Sequence, residues 1–318
     1  MSSWGIVGAG AWGTALALFA HRAGHEVRLW GRDPARLQEI VARRENPRLP
    51  GFPIPEAIGL ADDPSMPEAE FLLLAVPVQH FRTIAGAVVP TGRPLVAAAK
   101  GMEAGTGLMP LEILAAVHPG APTGVLTGPN FAAEIAAGLP AASVLAAADG
   151  GVRKTLLAAL SGPGLRLYGN ADPLGAQVGG AAKNVIAIAA GAVIGAGWGE
   201  NARAALVTRG LAELSRLTVG LGGRLETSFG LSGLGDLVLT CTGRASRNFR
   251  YGWALGRGER PAVEGVAEGV ATAPALVARA EGAGCEVPVA GAVARLLAGE
   301  TTLGEAMAEL LARPQRDE

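Results

Sequence analysis

Only three of the 27 basic residues in this chain are lysines, Lys100, Lys154 and Lys183, and two of them stand where a reaction could use them. Lys183 heads a greasy stretch, GGAAKNVIAIAAGA over 179–192, and every residue from Val185 to Gly199 is uncharged. A chain that meets its need for surface charge with arginine has another reason to keep that lysine. Apolar surroundings disfavour the charged amine and bring its pKa of about 10.4 down toward the range that proton transfer uses. Reducing a ketone creates an alkoxide that must receive a proton, and the reverse reaction must remove one, so a desolvated lysine suits both directions. Asn184 beside it is placed to hold a substrate oxygen. A lysine snorkelling from the start of a helix is the plainer alternative. Lys100 closes the run LVAAAK ahead of Gly101, at the carboxyl end of an expected parallel strand, where open α/β sheets place their ligands. Lys154, in GGVRKTLLAAL, reads as an ordinary exposed residue of a first helical turn.

Further polar groups cluster in GLGDLVLTCTGRASRNFR. Asp236 follows a glycine-rich turn in an apolar setting, where an unpaired carboxylate is costly. A cation such as Lys183 would account for it, and so would an N-cap role before LVLTC. Ser246, Arg247 and Asn248 put a hydroxyl, a forked guanidinium and an amide side by side, a donor set suited to phosphate. In GPNFAAEIAAG, Gly128, Pro129 and Asn130 form a turn entering a helix, where backbone amides meet anions.

The sequence GAGAWG places Gly8, Gly10 and Gly13 in the spacing G-x-G-x-x-G after a strand-like run and before a helix-like one. Gly8 permits a tight turn, Gly10 lets the backbone approach a pyrophosphate, and Gly13 allows close packing of helix on sheet. The second strand, VRLWG, runs out into Gly31 and Arg32 rather than an acid, which favours a 2′-phosphate and hence NADPH, with NADH still open. Asp33-Pro34 reads as an N-cap followed by proline at the first helical position.

Positioning these residues takes two kinds of domain. Short apolar runs alternate with helical segments as far as LRLYG near residue 169, the pattern of βαβ units and a mostly parallel sheet covered on both faces. From about Ala171 the strand signals stop and long helical patterns take over. The expected fold class is α/β, an N-terminal Rossmann-type doubly wound sheet over 1–174 that binds the dinucleotide. An all-helical substrate-binding and catalytic domain over 175–318 follows it.

Composition narrows the function further. Hydrophobic residues make up 49% of the chain and charged residues 17%, enough for a large core. A net charge of −1 gives no reason to expect nucleic acid or an anionic membrane. The apolar run after Lys183 is shorter than a membrane span, so no stable membrane insertion is expected. Cys241 and Cys285 have neither metal nor disulfide spacing, the four histidines assemble no site, and the N-terminus lacks a basic leader. The expectations are no metal and a cytoplasmic protein.

Eight blocks in order, GAGAWGTALA, WGRDP, AAKGME, TGPNFAAEIAAGLPAA, QVGGAAKNVIAIAAG, NARAALVTRGLAE, GLGDLVLTCTGRASRN and VAEG, closely resemble the bacterial NAD(P)-dependent sn-glycerol-3-phosphate dehydrogenases across nearly the whole chain. The resemblance implies interconversion of dihydroxyacetone phosphate and sn-glycerol 3-phosphate with NADPH or NADH, supplying phospholipid synthesis. It implies that Lys183 transfers the proton, with Lys100 and Asp236 beside the substrate and further substrate contacts at Gly128, Asn130, Ser246, Arg247 and Asn248. Cofactor contacts are implied at Ala11, Trp12, Arg32, Lys100, Ala132, Arg247, Val266 and Glu268. Three features depart from the family pattern. Ala11 stands where a serine is common, Asn130 replaces a serine or threonine, and a shortened connection precedes Val266 and Glu268. A reductase of another small oxo-acid and a nucleotide-binding sensor without turnover are the competing readings. The phosphate-ready Ser246–Asn248 run speaks against the first, and the retained Lys183, Lys100 and Asp236 speak against the second. A homodimer with a small phosphorylated substrate is the expected partner set.

Overall fold

The computed structural model describes residues 2–261 and 267–312, which form two units. One comprises Met1–Lys100 with Leu108–Gln177, the other Gly101–Gly107 with Val178–Glu318.

The first unit is built on a sheet of eight strands in the order β10-β9-β8-β7-β6-β1-β2-β5, with a two-stranded ribbon, β3-β4, outside it. In chain order the elements are β1 (Ser3–Val7), α1 (Ala11–Arg22), β2 (Glu26–Trp30), α2 (Pro34–Arg43), β3 (Glu45–Asn46), β4 (Leu49–Pro53), β5 (Ile58–Ala61) and β6 (Phe71–Leu74). There follow α3 (Val78–Ala87), β7 (Leu95–Ala97), α4 (Pro110–Val117), β8 (Thr123–Thr127), α5 (Ala132–Ala137), β9 (Ala141–Ala146), α6 (Gly150–Leu160) and β10 (Leu165–Asn170). All sheet pairings are parallel except β8 with β9. Strands covered on both faces can be apolar throughout, and β6 is fully buried along FLLL.

Strand β1 lies between β2 and β6, with Val7 opposite Trp30 on one side and Leu74 on the other. The chain leaves β1 in one direction and returns on the other side, so a crevice opens at the carboxyl end of β1. Helix α1 seals the sheet there with Leu16 and Phe19, both buried in the same core as Trp4, Ile6 and Leu29. The ribbon and β5 carry no strand signal in ENPRLPGFPIPEAIGLA, because prolines and glycines interrupt any alternation.

In the second unit the regular elements among the described residues are all helices. α7 (Pro173–Gly195) crosses the unit boundary and is followed by α8 (Gly199–Gly220), α9 (Leu225–Ser228), a π-helical turn (Leu231–Gly235) and α10 (Asp236–Cys241). The remainder is α11 (Arg247–Gly256), α12 (Glu268–Gly282), α13 (Pro288–Ala298) and α14 (Leu303–Leu311). α7 is long and apolar enough to cross a membrane, but 83% of its apolar window is buried inside the protein, as expected of a helix hydrophobic on every side. One of its partners is α11, and the two meet backbone to backbone. A Cβ on Gly191 would lie 2.0 Å from the Phe249 carbonyl oxygen, and one on Gly252 would lie 1.8 Å from that of Ile188. Gly195 and Gly256 repeat the close approach one turn on, against Trp253 and Ala192. Glycines four apart on both helices therefore bring the start of α11 up against the middle of α7. Elsewhere Glu213 of α8, a buried carboxylate, accepts from Val289 N at 2.6 Å and Ala290 N at 3.2 Å and so satisfies the first turn of α13.

Candidate active site

In the first unit the glycine turn sits at the end of β1. Gly8 has φ +125°, and a Cβ there would fall 2.5 Å from the Ala75 carbonyl oxygen. Gly13 lies in the first turn of α1, where a Cβ would stand 1.9 Å from the Gly8 carbonyl oxygen. Both positions are thus demanded by the protein's own packing. Gly10 differs: it is the N-cap of α1, no side chain caps that helix, and a Cβ would meet nothing within 4 Å. The first N–H groups of α1 are left with space in front of them and a favourable dipole behind. These residues fit a dinucleotide pyrophosphate. Ala11 and Trp12 open the helix, and Ala11 offers only its backbone N–H. Arg32 is exposed just beyond β2. Asp33 accepts from Arg36 N at 3.3 Å as the N-cap of α2, with Pro34 at its first position.

The carboxyl ends of β7 and β8 bring three expected residues together. Lys100 Nζ donates to the Gly128 carbonyl oxygen at 2.8 Å. Gly128 holds φ +124°, and Asn130 Nδ2 donates to Ser143 Oγ at 2.6 Å. Asn130 Oδ1 and Thr127 Oγ1 are buried without a hydrogen-bond partner, and buried polar atoms left so ask for one from outside. Ala132 is the first residue of α5.

The second unit holds the buried charge pair. Lys183, 7% exposed, donates from Nζ to Asp236 Oδ1 at 2.7 Å and to Thr240 Oγ1 at 2.9 Å. Asp236 is wholly buried and begins α10, whose N-cap is Gly235, so its side chain pairs with the ammonium instead of capping the helix. Thr240, one turn further along α10, donates from Oγ1 to the Asp236 carbonyl oxygen at 2.6 Å and accepts from Lys183. Burial works against the ammonium, while a carboxylate at this distance works for it. The preceding π-helical turn packs on α7 where Gly179 has no side chain, since a Cβ there would meet the Ser232 carbonyl oxygen at 2.3 Å. Close by, burial pushes the Cys241 thiol up to about 12, with the Lys183 charge opposing the shift.

A second buried network runs beside it. Asn248 Nδ2 donates to Asn184 Oδ1 at 2.8 Å, and Asn248 Oδ1 accepts from Gly269 N at 2.9 Å. Asn184 in turn donates to the Gly180 carbonyl oxygen at 3.3 Å. Both asparagines, expected to face substrate, are buried and joined to each other, tying α7, α11 and α12 together. Ser246 is the N-cap of α11, accepting from Phe249 N at 3.2 Å, so the expected phosphate run lies at a helix N-terminus. Arg247, the first residue of α11, is exposed by area, yet surrounding protein lowers its pKa, with Glu268 opposing and Arg250 adding. A guanidinium stays charged regardless. Glu268 begins α12, and Val266 lies outside the described residues.

Thr240 was not singled out from the sequence, although its place four residues after Asp236 on a helical pattern puts both on one face. Among the described residues no cluster of histidine, cysteine, aspartate and glutamate suits a metal.

Two family models cover most of the chain, the NAD-dependent glycerol-3-phosphate dehydrogenase N-terminus over residues 4–152 and the C-terminus of the same enzyme over 172–308. The chain belongs to this family. A glycerol-3-phosphate dehydrogenase [NAD(P)+] of Acidiphilium cryptum is 56% identical to it, over 98% of this chain and 97% of that one. That of Azorhizobium caulinodans is 49% identical over 99% and 98%. The crystal structure of the Coxiella burnetii glycerol-3-phosphate dehydrogenase superposes with a TM-score of 0.93 at 37% identity, covering 98% of this chain and 99% of that one. The superposition covers nearly all of both chains, so the doubly wound sheet followed by helices is common to the two.

Proposed function

We propose that this chain interconverts dihydroxyacetone phosphate and sn-glycerol 3-phosphate with NADPH or NADH, so providing glycerol 3-phosphate for phospholipid synthesis. The observation that carries the reading is the Lys183–Asp236–Thr240 constellation, a buried lysine bonded to a carboxylate and a hydroxyl inside a member of this dehydrogenase family. The nicotinamide cofactor supplies and accepts the hydride. The residues of the chain do the rest.

Residues 1–174 act as the dinucleotide domain, with Gly8, Gly10, Ala11, Trp12, Gly13, Arg32, Lys100 and Ala132 as cofactor contacts. Residues 175–318 bind substrate and carry the chemistry, with Arg247, Val266 and Glu268 also touching the cofactor. Lys183 protonates the alkoxide oxygen in reduction and takes that proton back in oxidation. Asp236 keeps the amine oriented and its charge tolerable in an apolar setting, and Thr240 fixes a second of its hydrogens. Lys100, Gly128, Asn130, Ser246, Arg247 and Asn248 hold the substrate, the guanidinium and the N-terminus of α11 being suited to its phosphate. The protein works in the cytoplasm as a homodimer.

Substrate choice tests the proposal. Dihydroxyacetone phosphate should be turned over at least about a hundredfold more efficiently than a carboxylate ketone of similar size, because a site built for a phosphate leaves its donors unpaired without one. Equal efficiency would defeat the phosphate reading. Sedimentation of the purified protein, with a mass of one chain as the contrary result, tests the dimer.

A further inference from the structure

The glycine turn cannot hold its own shape. Gly8, Gly10 and Gly13 have no side chains with which to fix the backbone, and a glycine-rich segment loses more conformational freedom on ordering than any other. Something outside the turn has to pin it.

Asn46, in the first strand of the β3-β4 ribbon, is wholly buried and reaches the turn from 37 residues away in sequence. Its Nδ2 donates to the Ala9 carbonyl oxygen at 3.2 Å and to Thr14 Oγ1 at 2.6 Å. Its Oδ1 accepts from Arg48 N at 3.0 Å. The orientation of the amide is not arbitrary: a carbonyl can only accept and a backbone N–H can only donate, so each fixes the end of the side chain that faces it. Ala9 lies between Gly8 and Gly10, and Thr14 lies in the first turn of α1. One side chain therefore grips the glycine turn and the helix start together. Thr14 is itself 1% exposed, so the hydroxyl is held in the interior.

We propose that Asn46 is a positioning residue for dinucleotide binding: it sets the carbonyl of Ala9 and the first turn of α1 so that the amides there are already aimed when the pyrophosphate arrives. The inference rests on the reading of the glycine turn as the pyrophosphate site. Without the clamp the competent turn is populated only part of the time, and apparent affinity falls by that fraction. The effect belongs to cofactor binding and leaves the proton-transfer group in the other unit untouched.

The test is titration of NADPH into the full-length protein by fluorescence, with steady-state kinetics alongside. Asn46→Ala should raise the NADPH Kd about tenfold, and Asn46→Asp further, since its carboxylate faces the Ala9 carbonyl oxygen. In both, kcat at saturating NADPH stays within about threefold and the KM for dihydroxyacetone phosphate within about twofold. Thr14→Val, which keeps the shape and removes an acceptor, should weaken NADPH binding by a few fold, while Thr14→Ser, which keeps the hydroxyl, restores it. If the Asn46 variants do not fold, the Thr14 pair decides. Wild-type NADPH affinity in a folded Asn46→Ala or in Thr14→Val, or a loss that appears in kcat alone, would overturn the proposal. Gly10→Val separates the two readings, because its backbone, φ −87° and ψ −179°, accepts any residue and its Cβ enters open space. If Gly10→Val binds NADPH normally, the pyrophosphate reading fails and this proposal with it. If Gly10→Val loses NADPH but the Asn46 and Thr14 variants do not, only the clamp is refuted.

Discussion

Lys183 Nζ and Asp236 Oδ1 stand 2.7 Å apart, each almost completely removed from water, though they are 53 positions apart in the sequence. A pair of this kind contributes little net stability compared with apolar side chains of the same volume, because desolvation offsets the attraction. Its retention points to use, and breaking it on one side exposes the cost. Asp236→Ala leaves a buried ammonium without its carboxylate and should destabilise the fold by about 3–5 kcal/mol, read in denaturant unfolding. Asp236→Asn, which still accepts a hydrogen bond, should fold better yet lose kcat. Full activity in a well-folded Asp236→Asn would show that the carboxylate charge is not needed.

Cofactor preference should follow one arginine. Arg32→Ala is expected to raise the KM for NADPH by about ten- to a hundredfold and that for NADH by no more than about twofold, since only NADPH carries the phosphate that a guanidinium would hold. Kinetics with each cofactor at fixed dihydroxyacetone phosphate would measure this. An unchanged ratio of the two would remove Arg32 from the account.

The α7–α11 contact should tolerate no added methyl. In an exposed helix, Gly252→Ala would gain about 1 kcal/mol from helix propensity. Here the new Cβ would have to sit 1.8 Å from the Ile188 carbonyl oxygen, so the helices must part and the sign reverses. A loss of about 1–3 kcal/mol is expected, with Tm lower by several degrees. Because Asn248 lies on the same helix and holds Asn184, activity should fall before the protein unfolds.

Thiol chemistry separates the two cysteines. Cys241 is buried, with its pKa raised to about 12, so it stays protonated in the folded protein well above pH 9. Cys285 is partly accessible. An aromatic disulfide reagent at pH 8 should modify about one thiol per folded chain and two in denaturant. A group whose folded pKa is raised adds stability that is complete below the unfolded value and is lost as pH rises toward the folded one. Stability is therefore lost through Cys241 progressively as pH rises from roughly 9 to 12, and not below that window. Rapid modification of both cysteines at pH 8 would contradict this placement.

Much of this was readable in the sequence, for identifiable reasons. The parallel strands announced themselves because a sheet covered on both faces needs unbroken apolar runs, and FLLL and GVL are such runs. Gly8, Gly10 and Gly13 were legible because each serves a separate steric need. Lys183 stood out because apolar helices seldom carry a charge. What escaped was set by tertiary partners. The β3-β4 ribbon hides in a segment rich in proline and glycine, so nothing marked Asn46 as the side chain that grips the turn. That Asn248 Nδ2 donates to Asn184 Oδ1 was equally hidden, because the two lie 64 residues apart and meet only where α7 and α11 pack closely. The choice for Asp236 between helix cap and ion pair rested on whether Lys183 was near, and no local pattern states that.

The central claim is that Lys183 moves the proton during reduction of dihydroxyacetone phosphate. It is tested most directly by following the absorbance of NADPH after that ketone is added, with wild-type protein and with Lys183→Ala. The account predicts brisk oxidation by the wild type and a kcat lower by about a hundredfold or more in the variant, with NADPH still bound. Wild-type protein that leaves NADPH unoxidised would contradict the function, and a fully active Lys183→Ala would contradict the assignment of the proton to this lysine.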